Sequence, residues 1–599
     1  MSSAVLPSND DLIAYSSVVP WQEIERQKRH FRTLLKQLIA DDPHQPLPLD
    51  MISQKIGAPV TWHDPDADAD SGNVLLAHID SRHYVLGSMV SSRYRSGKSL
   101  LESIGSYNLN PSINHSNLHQ TEDSVTQMRV LGAEIEVGLI FRDGSAPSED
   151  EIQKYIHAYD RHARRIGVYP HLDREACQYQ VEAHIAPNIG YAKTRSALNG
   201  MMQTFIAASE ETGMIPLLLS AFPTLSDFKM AEYPKVQTAV DLMLEVNGLF
   251  PHYGEQLAAM HKRYHVDPPG HYVNMFRNMG CHIHIDVAGR SEALGLLTYH
   301  TVLKSATAVA NAAVLKGGPF VNGTCDAELL CTREMLRRVT VTGTHLDLPL
   351  SPHLMPDGLD QYATLLKLER ANATGRAMMY DDSLGHPISL MHNPIGRLRP
   401  DLGSSKGVCT VESTGMSNNV STARMAAVLA DFEFSHALME AYFRKHGLDL
   451  EPMYDDRILW DLLGPLDRTS FTAQQDRSDR HGTDVVVKTA SGSEMALAEF
   501  YEIKRRYMHV ALDDVPNVAP REIDDVYTIF QRMLNPLTGQ HAQTIEQYIL
   551  DPKRRSTGNW GRILRNAYIE AGGVLGAHHP DAVLAVVNQI YDALRERYL

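Results

Sequence analysis

Cysteine is scarce in this sequence. Of 599 residues only five are cysteines, Cys177, Cys281, Cys325, Cys331 and Cys409, and no two of them form a CxxC pair. So few, so scattered, they exclude a disulfide framework and fit a reducing, cytoplasmic setting. Long apolar runs are also missing, and the opening MSSAVLPSNDDLIAY lacks the basic start and apolar centre of a signal peptide, so the expectation is a soluble protein that is neither exported nor membrane-bound. Basic residues are outnumbered, 56 against 72 acidic ones, for a formal net charge of -16. With no basic patch to override that balance, nucleic acid and anionic membranes should be repelled. Internal repeats and low-complexity tracts are absent.

What remains is a chain 43% hydrophobic and long enough for several domains. A helical period at Trp21 to Ile39 opens an N-terminal region, 1–126, that ends in the polar stretch Ser106 to Thr126, read as a loop or linker. From 127 to 434, strand-like alternation and helical stretches interleave, as in a mixed α/β catalytic domain. The remainder, 435–599, reads as mainly helical. Ser421 or Thr422 can cap a helix through Met425, Val428, Leu429, Phe432, Leu438, Tyr442 and Phe443, with Gly447 as its stop. Further helices are expected over Ala496 to His509, Pro520 to Met533 and Pro580 to Tyr598.

Two tempting motifs fail. The acidic run Asp64, Asp66, Asp68, Asp70 starts like a calcium loop, but the sixth and twelfth positions hold Ala69 and Leu75 where that loop needs Gly and an acid. A hairpin or solvated turn is the better reading. Ser96, Gly97, Lys98 and Ser99 mimic the end of a phosphate-binding loop, yet Ser92 stands where its first glycine belongs.

Four strands share a different design. In MRVLGAEIEVGLIF, Leu131, Ala133, Ile135, Val137 and Leu139 alternate with Glu134 and Glu136, so an apolar face anchors in a core while both acids project from the other. CQYQVEAHIAP, Cys177 to Pro187, sets Gln178, Gln180, Glu182 and His184 opposite Tyr179, Val181, Ala183 and Ile185. MGCHIHIDV, Met279 to Val287, carries His282, His284 and Asp286 on its polar face. GVCTVEST, Gly407 to Thr414, carries Thr410, Glu412 and Thr414. Any one such face is ordinarily just solvated. Lined up on a single concave sheet, however, the glutamates and histidines make an oxygen-rich site for more than one Mg²⁺ or Mn²⁺. No cysteine or histidine set has the usual spacing of a zinc site. Arg397, Arg399 and Lys406 in NPIGRLRPDLGSSKG just precede Glu412, and metals beside cations suggest phosphates.

The order of these elements resembles the catalytic domain of glutamine synthetase and of its relatives, the glutamate-cysteine ligase type of carboxylate-amine ligases. LGAEIEVGLI is similar to the family's Gly-x-Glu-x-Glu strand, QVE to its Gln-x-Glu strand, MGCHIHID to its Gly-x-His-x-His strand, and RLRP with Lys406 and Glu412 to its arginine and lysine segment before a last metal-binding glutamate. SNNVSTARMAAVLADFEF resembles the Asn-containing turn and Ala-rich helix that follow. The likeness covers about half the chain, roughly 127–434. It implies an α+β fold with a curved, mainly antiparallel sheet, flanked by an N-terminal extension and a helical C-terminal region. By the same resemblance, Glu134, His282 and Glu412 would ligate the ion near the nucleotide phosphates, and Glu136 and Glu182 the other. His284, Arg397, Arg399 and Lys406 would contact ATP. The family's further metal glutamate would fall at Arg174, so Glu175, one step on, is carried instead. Asp381 and Asp382 lie where a catalytic flap acid is expected. Thr414 stands where glutamine synthetases have an arginine that holds the substrate's carboxylate.

The implied activity is an ATP- and Mg²⁺- (or Mn²⁺-) dependent ligase that phosphorylates a carboxylate and lets an amine displace phosphate, its substrate an amino acid such as glutamate joined to an amine or a second amino acid. A small-molecule kinase on the same kind of sheet and a non-catalytic relative are the rivals. The family also implies a homo-oligomer, as rings or dimers.

Overall fold

In the computed structural model the described residues are 60–63, 73–79, 82–89, 131–169, 171–185, 190–225, 229–231, 262–265, 277–286, 302–303, 305–338, 396–400, 409–446, 451–466, 468–512, 515, 518–535 and 541–599. The helix expected at Trp21 to Ile39, the polar stretch from Ser106 to Thr126, and the segment Ser96 to Ser99 lie outside them. So does the acidic run at Asp64 to Asp70, although the strands on either side, β1 (Val60–His63) and β2 (Asn73–Ile79), pair antiparallel, and β2 pairs in turn with β3 (Arg82–Met89).

The strand foreseen at Leu131 runs as β4 (Leu131–Phe141) through the middle of an open, curved sheet. Its partners are β5 (Leu172–Arg174), β6 (Gln180–His184), β7 (Met214–Leu217), β8 (Gly280–Asp286), β11 (Gly396–Pro400) and β12 (Cys409–Ser417), in the order β11-β12-β8-β4-β6-β5, with β7 on the far end of β4. Every pairing is antiparallel. A short hairpin, β9 (Phe320–Val321) and β10 (Thr324–Cys325), stands apart. Period-2 alternation decides the faces of β4: Leu131, Ala133, Ile135, Val137 and Leu139 are at most 2% exposed, while Glu134 and Glu136 are only partly covered. The segment from Cys177 to Pro187 is shorter as a strand than its alternation suggests, because Gln180 N–H turns back to the Cys177 carbonyl at 3.1 Å.

Helices supply the rest of the core. They are α1 (Glu149–Ile166), α2 (Tyr191–Thr212), α3 (Ala306–Val314), α4 (Arg333–Arg338), α5 (Thr422–His446), α6 (Arg457–Leu463), α7 (Arg468–His481), α8 (Leu497–Val510), α9 (Pro520–Leu534), α10 (Ile545–Ile549), α11 (Trp560–Glu570) and α12 (Pro580–Tyr598). The helices read from sequence at Thr422, Ala496, Pro520 and Pro580 are all present. Position 434, where sequence suggested a boundary, falls inside α5, and one hydrophobic cluster takes in β4, α2, α5, α9 and α12. Among the described residues no helix is long and apolar enough to cross a membrane.

Polar groups inside this core are matched with care. Lys504 of α8 and Asp431 of α5 are fully buried and paired at 2.8 Å. Lys504 Nζ also donates to Thr307 and Ser435, while Asp431 accepts from Asn311 at 3.0 Å and Tyr527 at 2.7 Å. Four helices therefore meet at one ion pair. Arg424 is buried and donates to the carbonyls of Val314, Ser556 and Gly558.

Asp326 is a third such group. Burial alone would raise its carboxyl, but Arg263, which grips both oxygens at 2.7 Å, the Leu329 amide, the Tyr264 hydroxyl and the Glu328 amide outweigh it and hold the group below the usual carboxylate range. A depressed carboxyl stabilises the fold above its unfolded value of about 3.9 and loses that contribution as pH falls through the folded one. Asp326→Asn is therefore expected to lower stability at neutral pH and to flatten the acid limb of the stability profile, as measured by urea unfolding from neutral pH down to about pH 3.

Candidate metal site

Register assembles the site. Directly paired residues on antiparallel strands project to the same face, and here three rows cross the sheet. In the first, Asp173 of β5 lies opposite Glu182 of β6, and Glu182 opposite Glu136 of β4. The second runs His184, Glu134, His282. In the third, His284 has Gly132 on one side and position 412 on the other, and 412 pairs with 397. Residues scattered over some 280 positions of sequence become neighbours.

The side chains converge accordingly. His282 Nδ1 is 3.5 Å from Glu134 Oε2 and 3.7 Å from Glu182 Oε1, and its Nε2 is 3.6 Å from Glu136 Oε1. His284 Nε2 stands 3.2 Å from Glu134 Oε1. His184 reaches Glu134 at 3.8 Å and Glu182 at 3.5 Å. Two overlapping groups, Glu136–Glu182–His282 and Glu134–Glu182–His184, each bring three donor atoms within 4.8 Å. All three glutamates are at most 16% exposed. Like charges facing each other on one rung are destabilising, and more so out of water, and a cation held here would relieve that repulsion. Carboxylate oxygens with one or two imidazoles suit Mg²⁺ or Mn²⁺. Burial holds the His184 imidazole below its usual value, aided by His171 and His284 and opposed by Glu134 and Asp173. A metal takes that neutral form.

The surrounding backbone fixes these groups. Gly280 N–H donates to Glu136 Oε2 at 2.5 Å, and the Asn418 side chain donates to the Glu136 carbonyl. Gly280 has no room for a side chain, since a Cβ would lie 2.3 Å from Arg333 Nη2. Arg333, on α4 and 1% exposed, also approaches His282 Nε2 at 3.5 Å, and its Nη1 donates to Glu334 and to the Thr414 carbonyl at 2.7 Å. Thr414 sits where the β12–β8 register slips between Ser413 and Met416. A bulge beside a functional cleft re-aims its strand, and here its carbonyl is taken up by a guanidinium from another element. Sequence reasoning missed Arg333, and only the glycine of MGCHIHID hinted that something presses on that strand.

Of the residues proposed from sequence, Glu134, Glu136, Glu182, His282 and His284 are together. Glu412, Arg397 and Arg399 occupy register positions beside them on β12 and β11. Glu175 lies outside the three-donor groups, its carboxylate accepting from the Ala176 amide at 2.7 Å. Lys406, Asp381 and Asp382 fall outside the described residues.

No family model matches the chain, and no curated protein matches it in sequence. Among solved structures, it is similar to a bifunctional glutathione synthetase from Pasteurella multocida (13% identity, TM-score 0.43), covering 81% of this chain and 55% of that one. The chain thus spans about half the length of that protein. It is also similar to a glutamate-cysteine ligase from Francisella tularensis in complex with AMP (11% identity, TM-score 0.45, covering 78% of this chain and 89% of that one). A third likeness, over 77% of this chain and 79% of the other, is to the complex of the prokaryotic ubiquitin-like protein Pup with its ligase PafA (12% identity, TM-score 0.34).

Proposed function

We propose that the protein is an ATP-dependent carboxylate-amine ligase working through an acyl phosphate. The observation that carries this reading is the rung of facing acids, Glu136 and Glu182, with His282 within 4 Å of both and of Glu134. Glu136 and Glu182 would hold one ion, Glu134 and Glu412 the second, with His282 between them. Two such ions would supply charge neutralisation on phosphate oxygens, the main requirement of phosphoryl transfer.

The chain's own residues do the positioning. Gly280 N–H pins the Glu136 carboxylate, and Arg333 braces the strand that carries His282. His284 orients Glu134 from the neighbouring row. Arg397, Arg399 and Lys406 would bind the transferring phosphoryl group, and Asp381 or Asp382 would take the proton of the incoming amine. Glutamate remains a candidate for the acid, joined to an amine or a second amino acid, with Thr414 leaving its carboxylate clamp to be supplied elsewhere.

The test incubates the purified full chain with ATP, Mg²⁺ and pools of amino acids and amines. ADP and free phosphate released together with an amide product are the expected result. A stable phosphorylated product without free phosphate would identify a kinase instead. Intact ATP under conditions where calorimetry shows Mn²⁺ binding would sink both enzyme readings.

A further inference from the structure

We infer a further metal site on the outer edge of the sheet, adjoining the inner one and sharing His184 with its donor groups, built for a borderline transition ion such as Zn²⁺. Its donors are His171, Asp173 and His184, whose ligating atoms lie within 4.8 Å of one another. The edge ladder builds it. His184 N–H donates to the His171 carbonyl at 3.2 Å, and one rung along Asp173 lies opposite Glu182. Two residues apart on each strand, the pairs His171/Asp173 and Glu182/His184 share one face, and three of these four, His171, Asp173 and His184, bring their donor atoms together.

The distances separate this from ordinary hydrogen bonding. His171 Nδ1 and His184 Nε2 are both buried at the atom and make no hydrogen bond. Both face the same oxygen, Asp173 Oδ2, at 3.6 and 3.9 Å. These gaps exceed the roughly 2.7–3.2 Å of a hydrogen bond. They lie close to the separation of about 3.4 Å between donors around a tetrahedral ion with bonds of about 2.0–2.1 Å. Glu182 Oε2, 3.5 Å from His184 Nε2, belongs to the inner donor groups, so water would complete the sphere of a three-ligand ion at the edge. The donor set differs from the inner one in kind: two imidazoles with one carboxylate favour zinc, cobalt or nickel, whereas magnesium stays with the carboxylate-rich pair. The spacing along the chain, His-x-Asp and Glu-x-His, has no zinc signature, because the site is written across the ladder and not along either strand.

Occupancy here does not depend on the ligase reading, and the experiment keeps the two apart. The full chain, saturated with Mg²⁺, is titrated with Co²⁺ and followed by its visible absorption and by calorimetry. One equivalent should bind with the intense band of a near-tetrahedral ion, and Zn²⁺ should displace it. His171→Ala and Asp173→Asn should each weaken Co²⁺ binding at least about tenfold, while Glu136→Ala leaves it in place. Absence of the band, or a band that survives both edge variants and vanishes in Glu136→Ala, overturns the inference. Loss of Mg²⁺-dependent turnover in Glu136→Ala alone speaks only to the inner ions.

Discussion

Glu136→Gln is expected to cut ATP turnover by on the order of 10² to 10³-fold, the scale on which a positioned electrostatic group acts on charge developing in a transition state. The same change should also stabilise the metal-free protein. Glu136 faces Glu182 across one rung, and removing one of two opposed charges relieves a repulsion of up to about 1 kcal/mol. Activity and stability would thus move in opposite directions, a trade common where a site is built from strained groups. Glu134→Ala should behave alike, with turnover abolished and the fold intact. Steady-state ADP release, Mn²⁺ calorimetry and thermal unfolding in a chelator measure the three quantities. A merely solvated strand face predicts that none of them changes.

Lys504→Met should lower stability by about 3–5 kcal/mol, since it strands Asp431 as an unpaired charge at zero exposure. Burial already pulls the Lys504 ammonium below its usual value, with Asp431 opposing. Adding Asp431→Leu would not restore the wild-type level, because Tyr527 and Asn311 would then lose their acceptor, and each orphaned buried donor costs about 1–3 kcal/mol. A double-mutant cycle read by denaturant unfolding isolates the pair itself. Equal losses for the two single variants with a strictly additive double would show that the lysine and aspartate are not coupled.

Legibility followed periodicity. The core face of β4 and the helices α5, α8, α9 and α12 were readable because alternation and helical spacing are local properties of the chain. Convergence is not local. Nothing in the chain order announces that Asp173 lies opposite Glu182, or that His171 closes against His184, since register depends on turns between the strands. Arg333 was invisible for a related reason: its meaning comes from a bulge at Thr414 some 80 positions away. Glu175 shows how a local contact differs from a motif position. The motif spacing falls on Arg174, Glu175 is carried as its neighbour, and in the fold its carboxylate accepts from the Ala176 amide.

Arg424 makes the carboxy-terminal helices something other than an attachment. Its guanidinium is satisfied by carbonyls at 314, 556 and 558, and just before the same helix Asn418 and Asn419 bond with Glu136, Lys316 and Tyr548. A chimera that exchanged the last helices with those of a distant relative would have to reproduce those carbonyls at the same points in space. The helices after α9 and the strand of acids are therefore tied through Asn418, Asn419 and Arg424, and a change to one has to respect the other.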